Sequence, residues 1–171
     1  ENLVNEFSDF ARMPKPLFKK NNLVDVINEN INLVSKLDKS INFKLINHLN
    51  KNLIISFDYE QFNRLFFNLI KNSLESIQDK AQKANKISKN IDIEIRQRRD
   101  YIIVNLLDTG IGFTDKTTKD LIKPYFTTKK KGTGLGLSIV TKIINDHNST
   151  ILFNSIKDGA QVEISIPKYY E

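Results

Sequence analysis

Residues 102–112 read IIVNLLDTGIG, a run that is apolar except at Asn105 and ends in an acidic residue and two spaced glycines. A nearly continuous apolar run is typical of a strand buried on both faces, so we predict a central strand over Ile102–Leu107. Gly110 and Gly112 permit a tight turn directly after it. The turn presents the carboxylate of Asp108, which can accept a hydrogen bond from an exocyclic amine while the glycines let a planar ring approach. An ordinary Asx turn is the alternative.

The segments around this strand carry the periodicities of an α+β domain. The most regular pattern is a long helix that starts after Asp58, an N-cap candidate, and carries an apolar stripe from Phe62 to Ile77. The polar, lysine-rich residues 78–90 are interpreted as a frayed helix end and a loop. Further helices are predicted over 23–34 and 137–144, and further strands over 41–45, 53–57, 91–95, 151–153 and 162–166. Their order predicts helices packed on one face of a mixed, mostly antiparallel sheet.

The bulk composition limits the functional classes. The chain has 171 residues, 40% of them hydrophobic and 27% charged, as in a folded domain. It has no cysteine, which excludes disulfides and thiol nucleophiles and fits a cytoplasmic location. Its net charge is +6, but lysines are spread along the chain rather than clustered, so we expect no nucleic-acid partner. No apolar run approaches the roughly 20 residues that cross a bilayer, so no membrane contact is expected.

Two polar clusters suit a phosphate-bearing ligand. Asn68 and Asn72 stand four apart on the long helix, so their amides project from one side and can reach a phosphate or a metal, unless they are only solvated or capping side chains. The run GTGLGL at 132–137 precedes a predicted helix, where backbone N–H groups favour an anion; a plain hinge is the alternative. The preceding Lys129–Lys131 are either solvated or placed to screen a triphosphate.

Four motifs in this order resemble the N, G1, F and G2 boxes of histidine-kinase catalytic domains. They are NLIKNS at 68–73, DTGIG at 108–112, PYFTTK at 124–129 and GTGLGL at 132–137. The resemblance covers roughly residues 20–168. It implies the Bergerat-type two-layer α/β sandwich of the GHKL superfamily, in which ATP lies between the N-box helix and a lid from about Phe113 to Thr133.

The first residues resemble the end of a dimerisation helix and its linker in the nitrogen-regulation branch of these kinases, the NtrY type. The predicted division is therefore a dimerisation-helix end and linker over residues 1–19 and a catalytic ATP-binding domain over residues 20–171.

The resemblance also implies roles for individual residues. Asn72 is expected to bind Mg²⁺, and Asn68 is expected to support the metal or the phosphates. Asp108 is expected to hold the adenine amine, and Lys129 to approach the phosphates as a catalytic residue alongside the two asparagines. The other nucleotide-contacting residues are expected to be Lys71, Gly110, Ile111, Gly112, Tyr125, Thr133, Gly134, Leu135, Gly136 and Leu137.

Three positions depart from the family pattern. Glu75 stands where these kinases often have lysine, so neutralisation of the phosphates is expected to fall on Lys71 and the lid. The triplet His-Asn-Ser at 147–149 replaces the usual His-Gly-Gly, which leaves the turn there open. Ala160 stands where related ATPases often have threonine, so we expect no hydroxyl contact beside the adenine.

The implied activity is transfer of the ATP γ-phosphoryl group to a histidine of a dimerisation domain, and from there to a response regulator. Neither His48 nor His147 has the sequence context of a phosphoacceptor, so both are predicted to be structural, with the acceptor upstream of residue 1. We expect a monomeric fragment of a homodimeric kinase anchored in the inner membrane. The alternatives are a hydrolysing GHKL-type ATPase, which typically has glutamate where Asn68 stands, and a degenerate nucleotide-binding scaffold.

Overall fold

The computed structural model describes residues 13–113 and 136–169. In these two ranges the chain forms three helices and seven strands. In chain order they are β1 (Lys19–Asn22), α1 (Leu23–Ser35), β2 (Asn42–Asn47), β3 (Ile54–Phe57), α2 (Tyr59–Lys83), β4 (Asn90–Arg98), β5 (Tyr101–Asp108), α3 (Gly136–Asp146), β6 (Thr150–Ile156) and β7 (Gly159–Pro167). None of the described helices is long and apolar enough to span a membrane.

The main sheet has the strand order β2-β4-β5-β7-β6. β2 pairs with β4 in parallel, and the other three pairings are antiparallel, which confirms the predicted mixed, mostly antiparallel sheet. β5 lies at the centre, as predicted. Val104 is 1% exposed on the face that meets the helices, and Ile103 is 1% exposed on the opposite face, so burial on both sides explains a run that is apolar except at Asn105.

The helices form one layer on this sheet, with α2 packed against both α1 and α3. The apolar stripe predicted for α2 is buried. The helix begins at Tyr59 because the Asp58 carboxylate accepts a hydrogen bond from the Gln61 N–H at 3.0 Å, an N-cap contact. The core formed between the layers comprises Phe62, Leu65, Phe66, Leu69, Ile70 and Ile77 of α2 with Ile91, Ile93, Ile95, Ile102, Val104 and Leu106 of the sheet.

Two local expectations need correction. The interpretation of residues 78–90 as a frayed end and loop is wrong for its first part, because α2 continues through Lys83. Ile77 is buried, and Lys80 contacts the backbone of Thr109 and Asp158, so tertiary contacts stabilise helical turns that are polar in sequence. The strand β1 was not predicted. Its sequence KKNN has no apolar alternation, and it pairs with β3 in a separate two-stranded sheet.

Most of the dimerisation-helix end and linker predicted over residues 1–19 falls outside the described residues, and so does most of the predicted lid. The division of the chain near residue 19 therefore stays a prediction. Met13, the first described residue, packs against the hydrophobic core.

Candidate functional site

Asp108 is the last residue of β5 and is only 6% exposed. Its Oδ1 atom accepts a hydrogen bond from the Gly110 N–H at 2.8 Å, and the hydroxyl of Ser73 on α2 also bonds to the carboxylate. The Asx turn considered from the sequence is therefore present. A carboxylate accepts about four hydrogen bonds, so two donors leave capacity for a ligand.

Burial raises the pKa of Asp108 above its ordinary value of 3.8. The two hydrogen bonds and the positive charge of Lys80 act in the opposite direction and favour the ionised form. The site thus holds a buried acceptor whose charge depends on its neighbours.

The G1 turn, residues 109–112, lies directly against α2. A Cβ atom on Gly110 would come within 2.2 Å of the Ser76 hydroxyl oxygen, so only glycine fits there. The same hydroxyl accepts a hydrogen bond from the Ile111 N–H at 3.0 Å. Gly112 has a φ of 76°, and a Cβ there would lie 2.7 Å from the Gly159 carbonyl oxygen. Both glycines are required by geometry, and the turn is held by the helix that carries the asparagine pair.

Lys80 lies one helical turn after Ser76 on α2 and also contacts the G1 turn. Its Nζ atom lies 3.2 Å from the carbonyl oxygen of Thr109 and 3.3 Å from that of Gly110. It also lies 3.1 Å from the carbonyl oxygen of Asp158, in the turn between β6 and β7. One ammonium group therefore joins three segments of the chain.

The strand β7 borders Asp108 from the other side. Ala160 is the residue opposite Asp108 in the register of β5 and β7, and it is buried. Its methyl group has no hydroxyl to offer, in line with the departure noted in the sequence. A Cβ on the neighbouring Gly159 would lie 1.9 Å from the Asp108 carbonyl oxygen, so the two strands approach too closely for any side chain there.

Asn68 and Asn72 lie one turn apart on α2, as predicted. The Nδ2 atom of Asn68 donates to the Arg64 carbonyl oxygen at 2.8 Å. Because a carbonyl can only accept, the atom facing it must be the nitrogen, and the amide oxygen points away from that contact. Ser73, the residue after Asn72, bonds to Asp108, so α2 brings the asparagine pair and the buried carboxylate to one site.

Lys71 has two neighbours on its own helix. Its Nζ atom is 4.0 Å from Glu75 Oε1 and 5.7 Å from the centre of the Phe67 ring. Glu75 therefore offsets part of the charge expected to serve the phosphates. Such an exposed pair is weak and can rearrange when an anion binds.

Most of the predicted lid residues lie outside the described part of the chain. These are Tyr125, Lys129, Thr133, Gly134 and Leu135. Gly136 and Leu137 are described, and α3 begins at Gly136. The glycine-rich run therefore leads into a helix N-terminus, whose partial positive charge favours anions.

An open cleft of ≈ 490 Å³ borders the G1 turn on the side of the β6–β7 hairpin. Its lining comprises Lys80, Gly110, Ile111, Gly112, Phe113, Ser155, Ile156, Asp158 and Gly159. Ser155 binds the backbone of Phe113 through its hydroxyl, which accepts from the Phe113 N–H at 2.8 Å and donates to the carbonyl oxygen. Asp108 and the two asparagines do not line this cleft, so it flanks the predicted nucleotide site.

Asp58 and His147 tie the beginning of α2 to the end of α3. The Nε2 atom of His147 accepts from the Asp58 N–H at 3.1 Å, so the ring proton sits on Nδ1 and faces the Ile143 carbonyl oxygen at 2.8 Å. Burial lowers the pKa of His147, which keeps the ring neutral. This geometry matches the predicted structural role. His48, by contrast, is exposed and 2.8 Å from Glu94 Oε1.

The turn at residues 147–149, which the sequence left open, caps the end of α3. Asn148 has a φ of 51°, the left-handed conformation that follows many helices. Ser149 N–H donates to the Ile144 carbonyl oxygen at 3.0 Å, and Asn148 N–H donates to that of Asn145 at 3.1 Å. This is a Schellman motif, and asparagine is the residue that replaces glycine there most readily.

Several contributors to the site were missed from the sequence. They are Ser76, Lys80, Ser155 and Gly159. Ser73, Ser76 and Lys80 follow one another at intervals of three and four on α2, so a polar stripe beside the apolar one was a usable signal. Ser155 and Gly159 gave no such signal, because their partners are distant in sequence.

Comparisons with known proteins identify the family to which the chain belongs. The family model for histidine kinase-, DNA gyrase B- and HSP90-like ATPases matches residues 57–170. A sensor histidine kinase described as NtrY-like, from Rickettsia felis, is 32% identical over 165 residues, which cover 96% of this chain and 26% of the relative. The nitrogen regulation protein NtrY of Azorhizobium caulinodans is 29% identical over 157 residues, covering 92% and 20%. The chain thus spans about a quarter of the length of these curated relatives.

Solved structures show the same fold. The nucleotide-free catalytic domain of histidine kinase ThkA superimposes with a TM-score of 0.76 at 26% identity, covering 89% of this chain and 96% of that one. Full-length ShkA in complex with AMPPNP superimposes with a TM-score of 0.77, covering 97% of this chain and 35% of that one. At 15% identity the second likeness concerns the fold alone.

Proposed function

The chain belongs to the family of histidine kinase-, DNA gyrase B- and HSP90-like ATPases, as the catalytic ATP-binding domain of a sensor histidine kinase, and we propose that it transfers the γ-phosphoryl group of ATP to a histidine of the parent's dimerisation domain. The phosphoryl group then passes to an aspartate of a response regulator. The proposal of transfer rather than hydrolysis rests on Asn68. Its amide cannot accept a proton from water, unlike the glutamate typical of the hydrolysing branches.

Asp108 is proposed to recognise the adenine. Its carboxylate is buried and already oriented by Gly110 and Ser73, so the remaining acceptor capacity can take the exocyclic amine of the base. Gly110 is buried against Ser76, whereas Gly112 is partly exposed and Ile111 is 52% exposed, so a planar ring can approach the turn at these last two residues. These contacts select the base and leave the phosphates to the other end of the site.

The asparagine pair is proposed to serve the phosphate end. Asn72 and Asn68 would hold Mg²⁺ through their amide oxygens, together with the nucleotide phosphates. Because Asn68 Nδ2 donates to the Arg64 carbonyl, the amide oxygen of Asn68 faces away from that contact. Oxygen is the ligand type that Mg²⁺ prefers. Bound there, the ion supplies charge neutralisation for phosphoryl transfer, which proceeds mainly by positioning and electrostatics.

The remaining contacts are proposed from the motif positions. Lys129 approaches the phosphates, and Tyr125, Thr133, Gly134 and Leu135 belong to the lid. Gly136 and Leu137 begin α3, and the N–H groups at this end of the helix favour the negative charge of a triphosphate. Lys71 contributes once its ion pair with Glu75 opens.

The wider context is also a proposal. Relatives of the NtrY type favour a nitrogen-regulation role for the parent, acting as a homodimer anchored in the inner membrane. The segment described here would lie in the cytoplasm as a monomer, binding neither nucleic acid nor membrane.

The test is phosphorylation of a supplied acceptor. The chain is mixed with the separately purified dimerisation domain of the parent and γ-labelled ATP, and acid-labile phosphohistidine is measured. We expect label on the dimerisation domain, its loss with Asn72→Ala, and no change with Asn32→Ala, an exposed asparagine on α1. Release of inorganic phosphate without labelling of the acceptor would favour a hydrolase. ATP binding without either reaction would favour a scaffold.

A further inference from the structure

We infer that Lys80 is a positioning residue for adenine recognition: its ammonium group fixes the G1 turn against α2 and so orients the Asp108 carboxylate toward the base. The inference rests on the proposed function, because it concerns the nucleotide site. It goes further in assigning a role to a residue outside all four motifs.

The ammonium group of Lys80 contacts the backbone of two turns. An ammonium has three N–H donors, and Lys80 Nζ has three backbone carbonyl oxygens within 3.3 Å. Two belong to Thr109 and Gly110 in the G1 turn, and the third belongs to Asp158 in the β6–β7 turn. Hydrogen bonds from a charged donor are about twice as strong as neutral ones. Lys80 is thus fully engaged with the walls of the site and is not placed to act as a mobile phosphate-binding lysine.

Gly110 lies between Lys80 and Asp108 and contacts both. The N–H of Gly110 donates to Asp108 Oδ1 at 2.8 Å, while its carbonyl oxygen is bound by Lys80 at 3.3 Å. The residue is therefore held from both sides. Without the lysine, glycine at this position has a wide range of accessible conformations, and its N–H is free to leave the carboxylate.

Lys80 also acts on Asp108 through its positive charge. Lys80 is the charged side chain that lowers the pKa of Asp108, against the rise caused by burial. The other groups that stabilise the carboxylate, Ser73 and the Gly110 N–H, are neutral. An ionised carboxylate is the stronger acceptor for the adenine amine. The same lysine thus holds the turn that orients the acceptor, and its charge favours the ionised form.

The experiment measures binding of ATP, ADP and AMP to the wild-type chain and to Lys80→Met. These three nucleotides share the adenine and differ in the number of phosphates. Because Lys80 acts at the base, we expect Lys80→Met to weaken all three by the same factor, about tenfold. Lys80→Arg should restore most of the affinity, because it keeps the charge and several donors. Lys83→Met, which removes an exposed lysine three residues further along α2, is the matched control and should bind as wild type does.

The pH dependence of ATP affinity separates positioning from mere stabilisation of the fold. The affinity for ATP should decline on acidification at a higher pH in Lys80→Met than in wild type, because Asp108 is easier to protonate without the lysine. Binding is measured well below the unfolding midpoint of each variant. If Lys80→Met does not fold, Lys80→Gln takes its place, since it keeps a donor but no charge and should show the same shift in pH profile.

The outcomes are distinguishable. Wild-type affinity retained in the folded variant, or an unchanged pH profile, overturns the inference about Lys80. A loss that grows with the number of phosphates also overturns it, because it would place the lysine at the phosphate end. Failure of the wild-type chain to bind ATP would instead contradict the proposed function itself.

Discussion

Replacement of Asp108 by asparagine changes one buried oxygen into an amide nitrogen at nearly constant shape. In the wild type, Asp108 accepts from the Gly110 N–H and from the Ser73 hydroxyl. The amide oxygen of Asp108→Asn can keep the Gly110 contact, while its NH₂ group can turn to the Ser73 oxygen and then faces the adenine amine. Two donors face each other in that arrangement.

The size of the effect follows from the lost hydrogen bond. A hydrogen bond to a charged group contributes about 1.5–3 kcal/mol, which corresponds to roughly 10- to 150-fold in ATP affinity. GTP should lose less or gain, because guanine carries a carbonyl where adenine carries its amine. Isothermal titration of both nucleotides measures the ratio. Asp100→Asn, at an exposed position between β4 and β5, is the control.

The same substitution should stabilise the empty protein. Burial raises the pKa of Asp108, so folding favours the protonated form, and its contribution to stability is present at low pH and is lost as the pH rises through the folded-state pKa. Asparagine resembles the protonated acid. The free energy of unfolding of Asp108→Asn should therefore exceed that of wild type at pH 7, and the difference should vanish below pH 3.8.

Denaturant unfolding across this pH range, combined with the binding data, gives a two-part test. Undiminished ATP affinity in Asp108→Asn would refute the adenine assignment. An equal loss in Asp100→Asn would show that general electrostatics, and not the hydrogen bond, governs binding.

Further predictions concern backbone conformation and pH. Gly112→Ala should lower the free energy of unfolding by about 1–3 kcal/mol in urea titrations, because its φ is 76° and its Cβ would lie 2.7 Å from the Gly159 carbonyl oxygen. Asn148→Gly, at a φ of 51°, should leave stability unchanged within about 0.5 kcal/mol, and a marked loss would mean that the asparagine side chain has a role of its own. His147 has a pKa lowered by burial, so its contribution to stability is present above its ordinary value of 6.5 and is lost as the pH falls through the folded-state pKa. Wild type should therefore lose stability on acidification below pH 6.5, His147→Gln should show a flatter profile, and parallel profiles would contradict the neutral-ring assignment.

Local patterns in the sequence were sufficient for most of the fold. The run over 102–107 indicated a strand buried on both faces, because five of its six residues are apolar and a glycine turn follows it. Asp58 and the apolar stripe after it specified where α2 begins and which face it buries. The strand β1 could not be predicted, since KKNN owes its conformation to pairing with β3, more than thirty residues away.

The candidate site divides in the same way. Asp108, Gly110 and Gly112 could be identified because their chemistry lies in one short segment, and the asparagine pair because helical spacing places it on one side. Lys80 could not be identified as part of the site. Its partners are 29, 30 and 78 residues away in sequence, so a polar, lysine-rich stretch gained its role only when α2 and the two turns were brought together.

The residue types in the sequence therefore determined which segments are candidates for binding an adenine and a triphosphate. Tertiary structure decided which side chains hold the candidate binding residues in place. Ser73 bonds to Asp108, Lys80 binds the Gly110 carbonyl next to it, and Ser76 accepts a hydrogen bond from the G1 turn. The physical reason is the distance along the chain over which each effect acts. Propensity, periodicity and turn chemistry act over a few residues, whereas orientation and charge of a buried carboxylate depend on side chains that approach it from other elements.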